Sequence, residues 1–359
     1  VKATRINIRS LSETELGAWL DSQKESHFRV TQIMEWLWGK NVDSFDAMTN
    51  LPKSLREKLK ENFEIRHLSV EKSTVSADGT IKSAYRLADG RIIEGVLIPT
   101  DRRITACISS QAGCSLNCAF CATAALKMSR NLGADEIFDQ VVLAIDQARE
   151  HFQRPLTNVV FMGMGEPLLN YKNVVQALER LHARYGLAMG AHRFTLSTAG
   201  IVKMIYRLAD DKLPCKLAVS LHSAIPEKRT RLMPINETNP LHDLRKALVY
   251  YTQKTGKPVT LEYLMLKDVN DLREDAEALV KFVRSFPSKI NLIEYNPVDK
   301  LPFTGSDSGR IRDFQEFLKS KGLVTTLRRS RGKDIDAACG QLAGQLMPGY
   351  LPLKSTPVN

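Results

Sequence analysis

Three cysteines fall on one short stretch, Cys114-Ser-Leu-Asn-Cys118-Ala-Phe-Cys121. Three thiolates so spaced can converge on a single soft metal centre. A structural zinc site would want a fourth protein ligand, whereas a cubane iron–sulfur cluster held by three cysteines leaves one iron open to a small molecule. The spacing therefore points to an open iron site, with structural zinc as the alternative. The other cysteines stand apart: Cys107, just upstream, Cys215 and Cys339. So uneven a distribution is no secreted disulfide scaffold, and it indicates metal or redox chemistry in a reducing compartment.

A second group of candidates is spread along the chain. In Val159-Val160-Phe161-Met162-Gly163-Met164-Gly165-Glu166-Pro167 an apolar run ends on two glycines and a carboxylate. Glycines let the backbone approach a ligand, and Glu166 can accept from an ammonium group. Ser197, the Ser220-Leu221-His222 triplet and Asn296 end later apolar runs with hydroxyl, imidazole or amide groups. Such groups can hydrogen-bond the ribose, adenine and carboxylate of a nucleoside cofactor.

The elements that must position these residues read as a βα series. Strand-like runs at 104–110, 158–162, 193–197, 216–221, 259–266, 290–295 and 324–328 alternate with helical patterns at 134–152, 171–185, 241–255, 272–286 and 311–320. Repeated βα units predict an α/β fold with a parallel sheet or barrel, whose function gathers where strands end. Upstream, residues 11–66 read as helical and carry all three tryptophans, expected in the core. Asp78-Gly79 and Asp89-Gly90 mark two hairpin turns. The expected divisions are a helical domain at 1–70, a β-hairpin connector at 71–103, a barrel with a C-terminal cysteine loop at 104–346 and a frayed tail at 347–359.

Composition narrows the partners. The 359 residues, 43% hydrophobic and 25% charged, are those of a globular chain with no apolar run of membrane-spanning length. The first residues contain no apolar signal core, so the cytoplasm is the expected compartment. A net charge of +11 favours a polyanion. Arg102-Arg103, Lys228-Arg229-Thr230-Arg231 and Arg328-Arg329-Ser330-Arg331-Gly332-Lys333 are the runs expected to track phosphates.

The cysteine array and the strand-end groups resemble the radical S-adenosylmethionine (SAM) superfamily. That resemblance implies a partial (β/α)6 barrel, a [4Fe-4S] cluster on Cys114, Cys118 and Cys121, and SAM bound at the open iron and by Gly165, Glu166, Ser197, Ser220, Leu221, His222 and Asn296. Within the superfamily the chain is similar, from about residue 28 to 346, to the methyltransferases acting on C2 of adenosine in large-subunit ribosomal RNA and, in many members, transfer RNA. The strings that carry this likeness are Ile92-Ile93-Glu94-Gly95-Val96-Leu97-Ile98-Pro99, Cys107 to Cys121, Arg130-Asn131-Leu132, Gly163 to Asn170 and Arg331 to Leu342. One departure follows the array. The usual Thr-Gly-x-x-Gly-x-x-Arg-Asn-Leu reads Thr123-Ala124-Ala125-Leu126-Lys127-Met128-Ser129-Arg130-Asn131-Leu132, without either glycine.

By this resemblance Cys339 accepts methyl from one SAM, and a 5′-deoxyadenosyl radical made from a second abstracts hydrogen from the S-methyl group. The carbon radical adds to C2, Glu94 removes the C2 proton, and Cys107 attacks the thioether sulfur to form a disulfide with Cys339 and release the RNA. The implied partners are 23S rRNA, free of protein or in an assembling subunit, tRNA, and an electron donor such as flavodoxin or ferredoxin, for a monomer without membrane attachment. The alternatives are a related adenosine C8 methyltransferase and an RNA-binding protein with a structural zinc.

Overall fold

The structure is a computed structural model that describes residues 5–126, 128–298 and 301–342. The expected frayed tail at 347–359 and Lys127 lie outside the described residues.

The first helices are α1 (Glu13–Ser22), α2 (Arg29–Met34) and α3 (Lys53–Asn62), bracketed by the short parallel pair β1 (Ile6–Asn7) and β2 (Phe63–Glu64). Helix α1 starts on a capping box, with the Ser12 hydroxyl taking the Glu15 N–H and the Glu15 carboxylate taking the Ser12 N–H. Three antiparallel strands follow, β3 (Ser69–Val75), β4 (Ile81–Arg86) and β5 (Ile92–Pro99), turned by the two Asp-Gly pairs. They do not stand alone. Strand β5 pairs antiparallel with β6 (Ile104–Cys107), the first strand of the βα series, so the hairpins extend the same sheet.

After the minor pair β7 (Gln111–Ala112) and β8 (Arg130–Asn131) come α4 (Ala134–Phe152), β9 (Asn158–Phe161), α5 (Tyr171–His182), β10 (Phe194–Thr198), α6 (Val202–Asp211), β11 (Lys216–Ser220), α7 (Pro226–Leu232), α8 (Leu241–Thr255), β12 (Val259–Met265), α9 (Arg273–Val283), β13 (Ser288–Glu294), α10 (Ser308–Ser320) and β14 (Thr325–Arg328). From β6 through β9 to β14 every neighbouring pair is parallel and in sequence order, which is the open barrel expected from the βα repeats. Helices α6 and α7 were not among the predicted elements.

The helical segment and the barrel share one apolar core, in which Trp38 meets Phe138 of α4 edge to face at 5.0 Å. Buried Arg9 stacks on Trp38 at 4.7 Å and clamps Asp139 of α4 with two hydrogen bonds, 2.6 and 3.0 Å. Trp19 and Trp36 are partly buried against the same core. None of the described helices is long and apolar enough to cross a membrane.

Candidate active site

Two cavities lie side by side within the barrel. The first, about 170 Å³, is lined by Cys114, Cys118, Cys121, Gly165, Glu166, Ser197, Ser220 and His222 among others. The βα alternation explains the gathering: each of these residues sits on the loop after β6 or at the end of β9, β10 or β11. Gly165 is required as glycine, because its φ is +94° and a Cβ there would stand 2.4 Å from the Cβ of Gln111.

Burial raises all three array thiols, Cys114 to about 11, so a cation bound among them would have to favour the thiolates. No three His, Cys, Asp or Glu side chains among the described residues are arranged to hold a single ion. Three cysteine sulfurs on one loop, lining one cavity, are the donors an iron–sulfur cluster would take. The donor set therefore fits the cluster.

Glu166 is buried and its carboxyl is pushed up to about 7 by that burial, against backbone N–H groups that favour the anion. Ala199 N–H donates to Oε2 at 2.7 Å and Leu168 N–H to Oε1 at 3.0 Å. These fix the carboxylate plane and leave lone pairs for a ligand ammonium group, which would also pull the carboxyl back to its anion. His222 has a left-handed φ of 56° and is held neutral, near 3, by burial and by Arg229. Its Nδ1 accepts from Leu264 N–H at 3.1 Å, which leaves the proton on Nε2. Leu221, between Ser220 and His222, is fully buried outside the cavity lining, its N–H bonded to the Glu262 carbonyl. Asn296 is also outside that lining. Its amide donates to Ser330 Oγ at 2.8 Å, and its Oδ1 has no partner among the described residues.

The second cavity, about 470 Å³, shares Cys121, Glu262, Arg328 and Cys339 with the first and adds Cys107. Cys107 is buried, and that burial together with the nearby Cys339 raises its thiol to about 12 while Arg328 opposes the rise. Cys339 rides on the segment from Gly332 to Leu342, which is pinned on two sides. On one side Gly332 N–H donates to Asp78 Oδ2 at 3.0 Å, Ala77 N–H to Asp334 Oδ2 at 3.0 Å and Lys82 Nζ to the Asp336 carbonyl at 3.1 Å. On the other, Ala122 N–H donates to the Gly340 carbonyl at 2.8 Å, beside the array. Glu94 lies outside both linings, buried on β5 with an oxygen 3.3 Å from Lys82 Nζ. It shares a face of the strand with Val96 and Ile98, which line the second cavity.

The basic runs divide. Arg102, Arg103, Arg231, Arg329 and Arg331 are exposed, and Arg103, Arg329 and Arg331 edge the second cavity. Lys228 is instead paired with Glu274 and Asp275, and Arg229 is fully buried, donating to the carbonyls of Ala199 and Ser220 and to Asn236 Oδ1. Arg328 turns into the barrel. Lys228 and Arg229 cannot track phosphates as their runs suggested, because each is committed to an acidic or interior partner, and Arg328 faces the cavities instead of an outer surface. Glu262 was not among the sequence candidates, and Arg229 and Arg328 were expected on the phosphate-tracking surface, not inside the barrel. Only the period-two position of Glu262 on β12 hinted that one face of that strand is polar.

Comparison with known proteins follows the same lines. Residues 6–65 match the ribosomal RNA large subunit methyltransferase N-terminal domain, and residues 108–283 the radical SAM superfamily. The chain is 53% identical to a probable dual-specificity RNA methyltransferase RlmN of Christiangramia forsetii, over 96% of this chain and 98% of that protein. The chain belongs to the RlmN family. An RlmN of Salinibacter ruber, described in the same words, is 42% identical over 95% of each chain. The crystal structure of a radical SAM methyltransferase from Sphaerobacter thermophilus superposes with a TM-score of 0.87 and 40% identity, covering 94% of this chain and 99% of that one. RlmN membership makes the fold a radical SAM barrel and the protein an RNA methyltransferase, against the non-enzymatic binding module among the alternatives.

Proposed function

We propose that this enzyme methylates C2 of adenosine in 23S rRNA and in tRNA, using two SAM molecules per turnover, with Cys339 as methyl carrier and Cys107 as the resolving thiol. The observation that carries this reading is the placement of Cys107 and Cys339 on one cavity that shares a wall with the cavity of the three array cysteines. Cys114, Cys118 and Cys121 would hold a [4Fe-4S] cluster, which supplies the electron that splits SAM and so starts hydrogen abstraction.

The chain's own groups do the rest. Glu166 orients SAM through its amino group, with Gly165, Ser197, Ser220, Leu221, His222 and Asn296 as further contacts. Cys339 displaces S-adenosylhomocysteine from the methyl carbon as a thiolate and holds the methyl as a thioether between the two cavities. Glu94 takes the C2 proton. Cys107, as a thiolate, then attacks the Cys339 sulfur; the disulfide forms as the carbon–sulfur bond breaks, its electron pair passes to the methylene carbon, which takes up a proton to become the product methyl, and the unpaired electron left by radical addition would return to the cluster. The exposed arginines at the rim of the second cavity suit an RNA backbone, and the target base must leave its stack to reach the thioether. The 1–70 segment is read as an RNA-contacting accessory domain, the 71–103 hairpins as a connector and 104–346 as the catalytic barrel. The enzyme works in the cytoplasm as a monomer fed by flavodoxin or ferredoxin.

The test is anaerobic incubation with SAM, a reductant and protein-free ribosomal RNA, followed by nucleoside analysis. 2-Methyladenosine is expected, and 8-methyladenosine alone would overturn the assignment. Cys107→Ala should stall as a covalent protein–RNA adduct, and clean turnover without an adduct removes its resolving role.

A further inference from the structure

The wall between the two cavities holds a carboxylate and a guanidinium that the reaction above leaves without a task. Glu262 is 4% exposed, and its carboxyl is raised by burial. Oε1 accepts from Asn291 Nδ2 at 3.1 Å, while Oε2 has no partner among the described residues. An orphaned buried acceptor is costly to a fold, so its usual explanation is a group that arrives later. Arg328 is comparably unspent. The one hydrogen bond of its guanidinium among the described residues is a weak one, to Met162 Sδ at 3.7 Å, and Cys107, Glu262 and Cys339 line the same cavity. The sheet puts both on the inner face. Glu262 of β12 is in register with Asn291 of β13, Asn291 with Thr326 of β14, and Arg328 is two residues further along that strand.

We infer that Glu262 and Arg328 read the Watson–Crick edge of the target adenine, Glu262 accepting from the 6-amino group and Arg328 donating to N1, so that C2 faces Cys339. The inference rests on the proposed C2 chemistry. Its support is order. Around that edge of adenine the sequence is C2, N1, 6-amino, and Arg328 shares the lining of both cavities with Cys339 and with Glu262, two strands away across β13. The pairing rejects other bases on chemical grounds: guanine carries an amino group at C2, cytosine a carbonyl there, and uracil would set a carbonyl against each carboxylate oxygen it met. The basic rim of Arg103, Arg329 and Arg331 lies on the second cavity, so a base can enter from the RNA side while SAM occupies the first.

The experiment uses the anaerobically reconstituted full chain and short RNA hairpins with adenosine, purine riboside (no 6-amino group) or 1-deazaadenosine (no N1) at the target position. Two readouts are kept apart: transfer of methyl from SAM to Cys339, by the mass of its peptide, and single-turnover methylation of RNA. The wild type should prefer adenosine over purine riboside by about tenfold or more, since a site built to bond an amino group penalises its absence. In Glu262→Met adenosine should fall to the purine riboside rate, with Cys339 still methylated. In Arg328→Met the gap between adenosine and 1-deazaadenosine should close in the same way. A wild type indifferent to the 6-amino group, or variants that keep wild-type preferences, overturns the inference. So does loss of Cys339 methylation in Glu262→Met, which would put that carboxylate on the SAM side. A wild type that makes no 2-methyladenosine fails in a different arm, and takes the proposed function and this inference down together.

Discussion

Arg9 and Arg328 are both arginines set beside an acid inside the molecule, and they are finished to different degrees. Arg9 meets Asp139 through two hydrogen bonds, donates again to the Arg66 carbonyl at 3.1 Å, and lies over Trp38. Asp139 is further satisfied by the Leu68 N–H at 3.0 Å. Arg328 and Glu262 make no such clamp, and Glu262 keeps a bare oxygen. A buried ion pair adds little to stability over an apolar pair of the same shape, yet removing one partner strands the other. The fuller pair, in which Arg9 Nε alone is unbonded among the described residues, locks the helical segment to α4. The incomplete one is held apart by β13, in a cavity, where its free bonding capacity is available to a substrate.

Breaking the doubly hydrogen-bonded pair of Arg9 and Asp139 should have the largest consequence. Arg9→Ala leaves Asp139 buried without its counter-charge, and urea unfolding should show a loss of about 3–5 kcal/mol. A loss under about 1 kcal/mol would mean that the stacking and backbone bonds hold the segment without the charge. The same change of carboxylate to amide then sharpens the contrast. Asp139→Asn should lose about 1.5–3 kcal/mol, the range for hydrogen bonds to charged groups. Glu262→Gln should stay within about 1 kcal/mol of wild type, because functional sites hold polar groups that stability does not require. Equal losses at both positions would erase the distinction.

This contrast was out of reach of the sequence, although much of the frame was not. Helices α4 and α8 were predicted to their end residues, 134–152 and 241–255, because each carries apolar residues at helical spacing. The strand ends were legible from apolar runs that stop at polar residues, and with them Glu166, Ser197, Ser220 and His222, which the structure brings to one cavity with the three array cysteines. Helix α6 was missed although Val202, Ile205, Leu208 and Ala209 repeat at helical spacing. Helix α7 has seven residues, four of them charged, and gives periodicity little to act on. Its Arg229 reads as one member of a basic run. That its guanidinium turns inward to the carbonyls of Ala199 and Ser220 is decided by strands whose proximity no local pattern reports. Glu262 hides in Val259–Met265 for a related reason: in a strand covered on both faces the apolar residues run nearly unbroken.

Acid titration separates the pairs further. Burial alone would raise the Asp139 carboxyl, but Arg9 and His67 hold it below its ordinary value. A carboxyl depressed in the folded state contributes stability that is complete above its unfolded value near 3.9 and is lost as pH falls through the folded value. The advantage of wild type over Asp139→Asn should therefore shrink as pH drops from about 5 towards 2. Glu262 is shifted the other way by burial, so its ionisation opposes folding at neutral pH. The advantage of Glu262→Gln over wild type, where there is one, should likewise fade on acidification, through a window that starts higher. Unfolding midpoints of the three proteins across that range give both slopes, and parallel curves would contradict them.

The smallest expected effect tests the departure from the family pattern beside the array. Ala124 lies in the short 3-10 turn Ala122–Ala125, and it is not among the residues with positive φ, so nothing in its backbone calls for glycine. The turn also bonds the Cys339 segment, through Ala122 N–H to the Gly340 carbonyl and Thr123 Oγ1 to the Leu342 carbonyl at 2.5 Å. Ala124→Gly, which restores the usual residue, should loosen that turn and lower stability by about 0.5–1 kcal/mol, the conformational entropy difference between the two residues. A stabilised Ala124→Gly protein would show instead that alanine is strained there and that the turn relaxes towards a conformation only glycine adopts.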